Sequence, residues 1–187
     1  MQNNDERVFI AINLPEEAKN EIEFFLAKLK KKVGYVTWSS PENMHITLQF
    51  LGNLGLEKID ELCSALNTLE NKYNSEMEFK LGKLNAFPNI FNAKIIYLEA
   101  RQQTGTSVMK LYKEILDELI KLDLEIDMRK WFSHITLGRA KSKIDSNIFE
   151  RFNLEVEIKF KIKSFELMES ILTPSGPIYK VIRSFNL

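Results

Sequence analysis

Four residues, His-Ile-Thr-Leu, occur twice in this chain, in "PENMHITLQFLGN" and in "KWFSHITLGRAKS". The chain has 2 histidines, His45 and His134, and each opens one copy. Given the two histidines, chance agreement at the next three positions is on the order of 10⁻⁴ at background residue frequencies. Self-similarity at this spacing points to a duplicated structural unit, with each half of the chain supplying one copy. The string also constrains local structure. On a strand, successive side chains alternate faces, so His45 and Thr47 share one side while Ile46 and Leu48 share the other. The same holds for His134 and Thr136 against Ile135 and Leu137. The Ile/Leu side belongs to a core, and the His/Thr side faces outward. Two lobes related by an approximate two-fold axis would turn both polar sides toward one groove.

The flanking segments read as an α+β fold. "RVFIAINLP", "YVTWSS", "MHITLQFL", "MEFKLGKLNAF", "AKIIYLEA", "WFSHITLGRA", "VEIKFKIKSFELMES" and "PIYKVIRSFNL" carry strand patterns. A helix is expected from about Pro15 to Lys32, with proline and two glutamates in its first turn. "EKIDELCSALNTLENKY" is a second helix, and "DSNIFERF" a short one. "TSVMKLYKEILDELIKL" is the clearest, with Val108, Leu111, Tyr112, Ile115, Leu116, Leu119 and Ile120 in one apolar stripe. The expected architecture is one bilobal domain over residues 1–187. It has two pseudo-symmetric lobes, each an antiparallel-rich sheet with helices outside, and an active-site cleft between them.

Composition narrows the function classes. Lys plus Arg and Asp plus Glu both total 26, so no overall positive field advertises a long polyanion, and any nucleic-acid contact is local. Hydrophobic residues at 44% and charged residues at 28% suit a soluble globular protein. One cysteine, Cys63, allows no internal disulfide, the start "MQNNDERVF" is no signal peptide, and no apolar run reaches a membrane span. A cytoplasmic monomer that avoids membranes is the expectation.

A groove holding two imidazoles and two hydroxyls has a definite use in attack at phosphorus. The incoming and leaving oxygens lie on opposite sides of the phosphoryl group, so two proton-handling groups must face each other across it. Histidine serves on both sides, since its unperturbed pKa of about 6.5 lets one ring be neutral and the other protonated. The threonine hydroxyls can donate to non-bridging oxygens. A metal centre would need a third ligand near the same faces; Cys63 sits mid-helix and neither HITL string contains a carboxylate. No metal and no cofactor are expected.

The paired H-x-T-L strings resemble those of the two-histidine phosphoesterase superfamily, and within it the LigT-like RNA 2′,3′-cyclic phosphodiesterases, also called 2′-5′ RNA ligases. The resemblance covers almost the whole chain, through "RVFIAINLP", "WSSPENMHITLQFLGNL", "LGKLNAFPN", "HITLGR" and "GPIYKVIRSFNL". One departure is Ser133, where the family commonly has proline before the second histidine. The resemblance implies hydrolysis of a 2′,3′-cyclic phosphate at an RNA 3′ end to a 2′-phosphomonoester. His45 would be the general acid, His134 the general base, and Thr47, Thr136 and Arg139 the phosphate-binding residues. It further implies a reverse, ATP-independent joining of RNA ends through a 2′-5′ linkage.

Arg139 lies five residues past His134, on the wrong face of a regular strand, so it reaches a phosphate only if Gly138 bends or bulges the chain. Phe50 follows His45 by the same five and either stacks a base or fills core, its apolar character favouring core. Arg7 and Phe9, two apart on the first strand, are further candidates for nucleotide contacts. Trp38 and Trp131 are expected to pack the lobes. Two other readings of the groove are a non-catalytic nucleotide- or RNA-binding module, and the same chemistry on a small cyclic nucleotide, ADP-ribose cyclic phosphate or 2′-5′ oligoadenylate.

Overall fold

A computed structural model of the chain describes residues 5–73, 76–105, 107–127, 129–152, 158–174 and 176–187. In chain order the elements are β1 (Glu6–Asn13), α1 (Glu16–Lys30), β2 (Val36–Trp38), β3 (His45–Leu54), α2 (Leu56–Leu66), β4 (Met77–Phe87) and β5 (Ile95–Thr104). There follow α3 (Val108–Lys121), β6 (His134–Ala140), α4 (Asn147–Arg151), β7 (Lys159–Ile162), β8 (Ser164–Thr173) and β9 (Gly176–Asn186). The strands form one antiparallel sheet in the order β7-β4-β5-β6-β3-β1-β8-β9, with β2 added on β6.

The centre of that sheet is a seam. β3 and β6 pair through a single residue couple, Ile46 opposite Ile135. Counting outward, the two sides match: β3 with β6, β1 with β5, β8 with β4, β9 with β7. Each inner neighbour, β1 or β5, is followed in the chain by a long helix, α1 or α3. The two lobes expected from the repeat are therefore present, but they are not the two halves of the chain. The C-terminal strands β8 and β9 complete the lobe of His45, and β2 crosses from the N-terminal half to pair with β6 in the lobe of His134.

The alternating stretch "VEIKFKIKSFELMES", expected as one strand, is divided at Lys163 into β7 on one outer edge and β8 beside β1. Its first two residues, 156 and 157, lie outside the described residues. Alternation alone does not reveal such a crossing, because the side-chain period is the same in both strands. One helix reading is shortened, and one apolar stripe loses its last member to solvent. α2 ends at Leu66 and tightens into a 3-10 turn over Asn67–Leu69, and Ile120 at the end of the α3 stripe is 62% exposed.

Packing fixes the register at the seam. Ile46, Leu48, Ile135 and Leu137 are all buried, in a core shared with Ile22, Leu26 and Leu29 of α1 and Leu111, Ile115 and Leu119 of α3. Burying four such side chains stabilises by about 6–12 kcal/mol, comparable with the net stability of a whole domain at about 5–15 kcal/mol. A one-residue slip would turn all four out and put His and Thr into the core, so the register has no competitor. Phe9, Ala11 and Met168 alternate onto the opposite face of the sheet, where Tyr179 packs against them.

Candidate active site

Antiparallel pairing about Ile46–Ile135 places His45 opposite Thr136 and Thr47 opposite His134. The two H-x-T pairs thus sit diagonally around a local two-fold axis, with diagonal neighbours at about 7–8 Å in a regular ladder. Because the strands meet at only one couple, they diverge on either side and leave a gap. All four residues are half-buried, alternating with the buried Ile and Leu residues. The resulting cleft has a volume of about 700 Å³, and its walls include His45, Thr47, Thr136 and Arg139. That volume falls within the usual range for small-ligand sites. His134 stands beside this wall, two residues from Thr136 on the same face of β6.

Both imidazoles are held in the same way. His45 Nδ1 lies 2.7 Å from the Asn43 carbonyl, and His134 Nδ1 lies 2.7 Å from the Phe132 carbonyl. A carbonyl only accepts, so each Nδ1 carries the proton and each Nε2 is left as the reactive nitrogen. At His45 the Thr47 hydroxyl, 3.0 Å away, donates to that Nε2 in the neutral ring.

The surroundings of the two rings differ. His45 packs against both Phe9 and Tyr179, with ring centroids 5.0 and 5.2 Å away, and those two rings touch each other at 5.0 Å. Burial lowers its pKa to about 4, opposed by the Asn43 carbonyl and assisted by the nearby charge of His134. His134 lies among Phe87, Tyr97 and Phe132, at 5.1, 5.3 and 6.1 Å. Burial also lowers its pKa, against the Phe132 carbonyl. Both rings therefore favour the neutral form in the unliganded protein, and the charge of His134 disfavours a proton on His45.

The residues five places past each histidine reach the same cleft by the same device. β3 bulges at Leu48, between the couples Ala11–Thr47 and Ile10–Gln49, so Leu48 and Gln49 are both buried and Phe50 turns outward. β6 bulges at Leu137, between Tyr97–Thr136 and Ile96–Gly138, so Leu137 and Gly138 are both buried and Arg139 turns outward. Arg139 needed that distortion and has it. Phe50 is 52% exposed and lines the cleft, which corrects the expectation of a core position. Gly138 is fixed by β2: a Cβ there would lie 2.8 Å from Val36 Cγ1 and 2.9 Å from the Thr37 carbonyl oxygen. Arg7 and Phe9 alternate with buried Val8 and Ile10 and both line the cleft, Phe9 as a buried ring.

Supporting contacts bind the lobes to the site. The Trp131 indole N–H donates to the Thr47 carbonyl at 2.9 Å while its ring stacks on Tyr112, so a residue of one lobe pins the threonine of the other. Trp38 pairs with Gly138 and lines the cleft. Asn13, opposite His45 in the ladder, donates its backbone N–H to the buried Glu166 carboxylate at 3.0 Å. Ser133, the departure from proline, uses its carbonyl to accept from the Ala100 N–H, a bond that proline would also make. Tyr179 is the main residue that sequence reasoning missed. "PIYKVI" has Lys180 as its only polar residue, so no alternation there singled Tyr179 out. Among the described residues, no three His, Cys, Asp or Glu side chains gather as a metal site, and no helix is long and apolar enough to cross a membrane.

Comparison with known proteins agrees with this geometry. Residues 12–97 match the LigT like Phosphoesterase family. An RNA 2′,3′-cyclic phosphodiesterase of Thermotoga maritima is 33% identical over 94% of this chain and 92% of its own length. One from Methanocaldococcus jannaschii is 30% identical over 96% of this chain and 99% of its own. The fold matches crystal structures of a Thermus thermophilus protein (TM-score 0.80, 21% identity, 97% of both chains) and of Escherichia coli LigT complexed with 3′-AMP (TM-score 0.79, 20% identity, 98% of this chain and 99% of that one). With two paired H-x-T strands around a common cleft and relatives matching over nearly its full length, the chain belongs to the LigT-like phosphoesterase family of RNA 2′,3′-cyclic phosphodiesterases.

Proposed function

We propose that this protein opens RNA 2′,3′-cyclic phosphate ends to 2′-phosphomonoesters, with His134 as general base and His45 as general acid. The observation that carries this reading is the diagonal arrangement of the two H-x-T pairs about the Ile46–Ile135 couple, with both Nδ1 atoms tied to carbonyls. His134 Nε2 takes a proton from water, the water oxygen bonds to phosphorus, and the bond from phosphorus to the 3′ oxygen breaks. His45 gives its Nε2 proton to that leaving oxygen, and the phosphate stays on the 2′ oxygen. Thr47, Thr136 and Arg139 donate to the non-bridging oxygens, where charge develops. Phe50, Phe9 and Arg7 contact the nucleotide.

The lowered pKa values meet these roles when the bound anion selects protonation of His45, the ring that otherwise holds a proton less firmly. A cyclic phosphate is an anion, and its charge in the cleft favours a proton on one ring of the pair. His45, whose protonated form is held least firmly, is then a strong proton donor. The pair handles both protons, so no metal ion is required. By microscopic reversibility the same groups can join a cyclic end to a 5′-hydroxyl through a 2′-5′ linkage without ATP, with water at bulk concentration favouring hydrolysis.

The test is turnover of a 2′,3′-cyclic-phosphate-ended oligoribonucleotide by chelator-treated protein, with identification of the product. The expected product is the 2′-phosphate at an undiminished rate. A 3′-phosphate product, or activity lost to EDTA and restored by a metal ion, would contradict the mechanism.

A further inference from the structure

One wall of the cleft beside His45 is made by the joined ends of β8 and β9, with Leu172, Pro177, Ile178 and Tyr179 facing in. β9 is an edge strand, and among the described strands its ladder partner is β8. In sheet order it lies three places from β3, a distance of about 14 Å in a flat sheet. Yet the Tyr179 ring packs on His45 at 5.2 Å and on Phe9 at 5.0 Å. The sheet therefore curls here, and the start of β9 leans over the entry to β3.

Asn43 fastens that curl. Its backbone carbonyl accepts the Nδ1 proton of His45 at 2.7 Å, and its side-chain amide donates to the Pro177 carbonyl at 2.8 Å. Proline has no N–H, so this carbonyl is the one backbone group that Pro177 can offer. Tyr179 stands two residues further along β9. Asn43 is itself fixed by the 3-10 turn Pro41–Asn43, through its N–H to the Ser40 carbonyl at 3.0 Å and the burial of Met44 behind it. One residue thus grips both the imidazole and the strand that covers it. The other lobe is built differently. At the matching place, two residues before His134, stands Phe132, whose ring stacks on the imidazole at 6.1 Å. A phenyl ring cannot donate such a bond, so the tether is particular to the lobe of His45.

We propose that Asn43 is a positioning residue of the reaction: its side-chain bond to Pro177 keeps Tyr179 packed on His45, and so keeps that ring oriented and shielded from water. This rests on the role proposed for His45. Burial is the main cause of the low pKa of His45, and the Tyr179 ring supplies part of that cover. Cutting the tether exposes the ring and relaxes its pKa toward the ordinary value, while the carbonyl that holds Nδ1 stays, because it is backbone. The ionisable groups that share the cleft with His45 are His134, Tyr179, Arg7 and Arg139, and a substitution at Asn43 alters the charge of none of them.

NMR titration of both imidazoles and turnover of a cyclic-phosphate-ended oligoribonucleotide test this in wild type, Asn43→Ala, Asn43→Gln and Tyr179→Ala. In Asn43→Ala the pKa of His45 is expected to rise by about one pH unit, more than that of His134. Turnover (kcat) is expected to fall by about tenfold. Asn43→Gln, which retains an amide donor, keeps part of both properties. In a Tyr179→Ala background, where the cover is already gone, Asn43→Ala adds little.

An unchanged His45 pKa or an unchanged kcat in Asn43→Ala would overturn the inference. So would equal shifts in both rings, or effects that add in full to those of Tyr179→Ala, since either would mean general loosening. Near-normal turnover in His45→Ala would instead overturn the proposed function. The titration of His45 in Asn43→Ala would then still report whether Asn43 holds Tyr179 over the ring.

Discussion

The two lobes share a tetrapeptide, a bulge and a carbonyl tie, yet they treat their histidines differently. In the lobe of β3, His45 is enclosed by Phe9 and Tyr179 and accepts from Thr47, and burial drives its pKa down to about 4. In the lobe of β6, His134 is ringed by Phe87, Tyr97 and Phe132, with Phe132 itself 42% exposed. Five residues on, one lobe presents a phenyl ring and the other a guanidinium. In the proposed mechanism the duplicated unit supplies two proton-transfer groups, and the divergence around them gives each a separate task. Cross-strand neighbours do this: Ala11 beside Thr47 leaves room for the aromatic packing around His45, whereas Tyr97 occupies the matching place beside Thr136.

The largest effect should come from removing either imidazole. His45→Ala and His134→Ala should each lower kcat by about 10²–10⁴-fold on a cyclic-phosphate end, with far-UV circular dichroism and Tm close to wild type. Near-normal turnover in one of them would mean that the lobes do not share the reaction. Next in size is the contrast between the two residues re-aimed by the bulges. Arg139→Ala should lower kcat by about 10²-fold, because it withdraws a donor from developing charge. Phe50→Ala should instead raise KM by about tenfold, the loss of one stacked base, with kcat little changed. Identical kinetic signatures for the two would erase the functional difference between the lobes.

The smallest effect is a displacement between two pH profiles. Both histidine pKa values lie below the ordinary value in the free protein, and in the proposed mechanism the active state is the pair sharing one proton. As pH falls, the second proton goes on and the base is lost; as pH rises, the shared proton leaves and the acid is lost. The kcat/KM profile, which reports the free protein, should therefore be a bell centred on the acid side of neutrality. An anionic substrate raises both values, so the kcat bell should lie at higher pH. Coincident bells would mean that substrate charge does not reach the pair.

Much of this was legible in the residues. The repeated string and strand alternation gave the lobes, the polar face and the four residues that line up on it. Parity also showed that Arg139 required a break in the strand; it was expected at Gly138 and falls at Leu137. Parity raised the same question at Phe50, but an aromatic ring there is as consistent with core as with a cleft wall. Only the pairing of Thr47 with Ala11 and Gln49 with Ile10 decides it. The exchange of β2, β8 and β9 between chain halves and lobes was hidden for a different reason. A strand's pattern records which face is buried, not which neighbour it pairs with. Tyr179 was hidden with it, since its contact with His45 exists only because β9 belongs to the first lobe.

The central claim is that His45 and His134 act across one phosphate, and it can be read directly from the two imidazoles. NMR titration of both rings, free and with a nucleoside 2′-phosphate bound, reports their pKa values separately. Both are expected to start below the ordinary histidine value and to rise together on binding, with both Nδ1 atoms protonated throughout. A rise confined to one ring, with the other unmoved by the phosphate, would contradict the account.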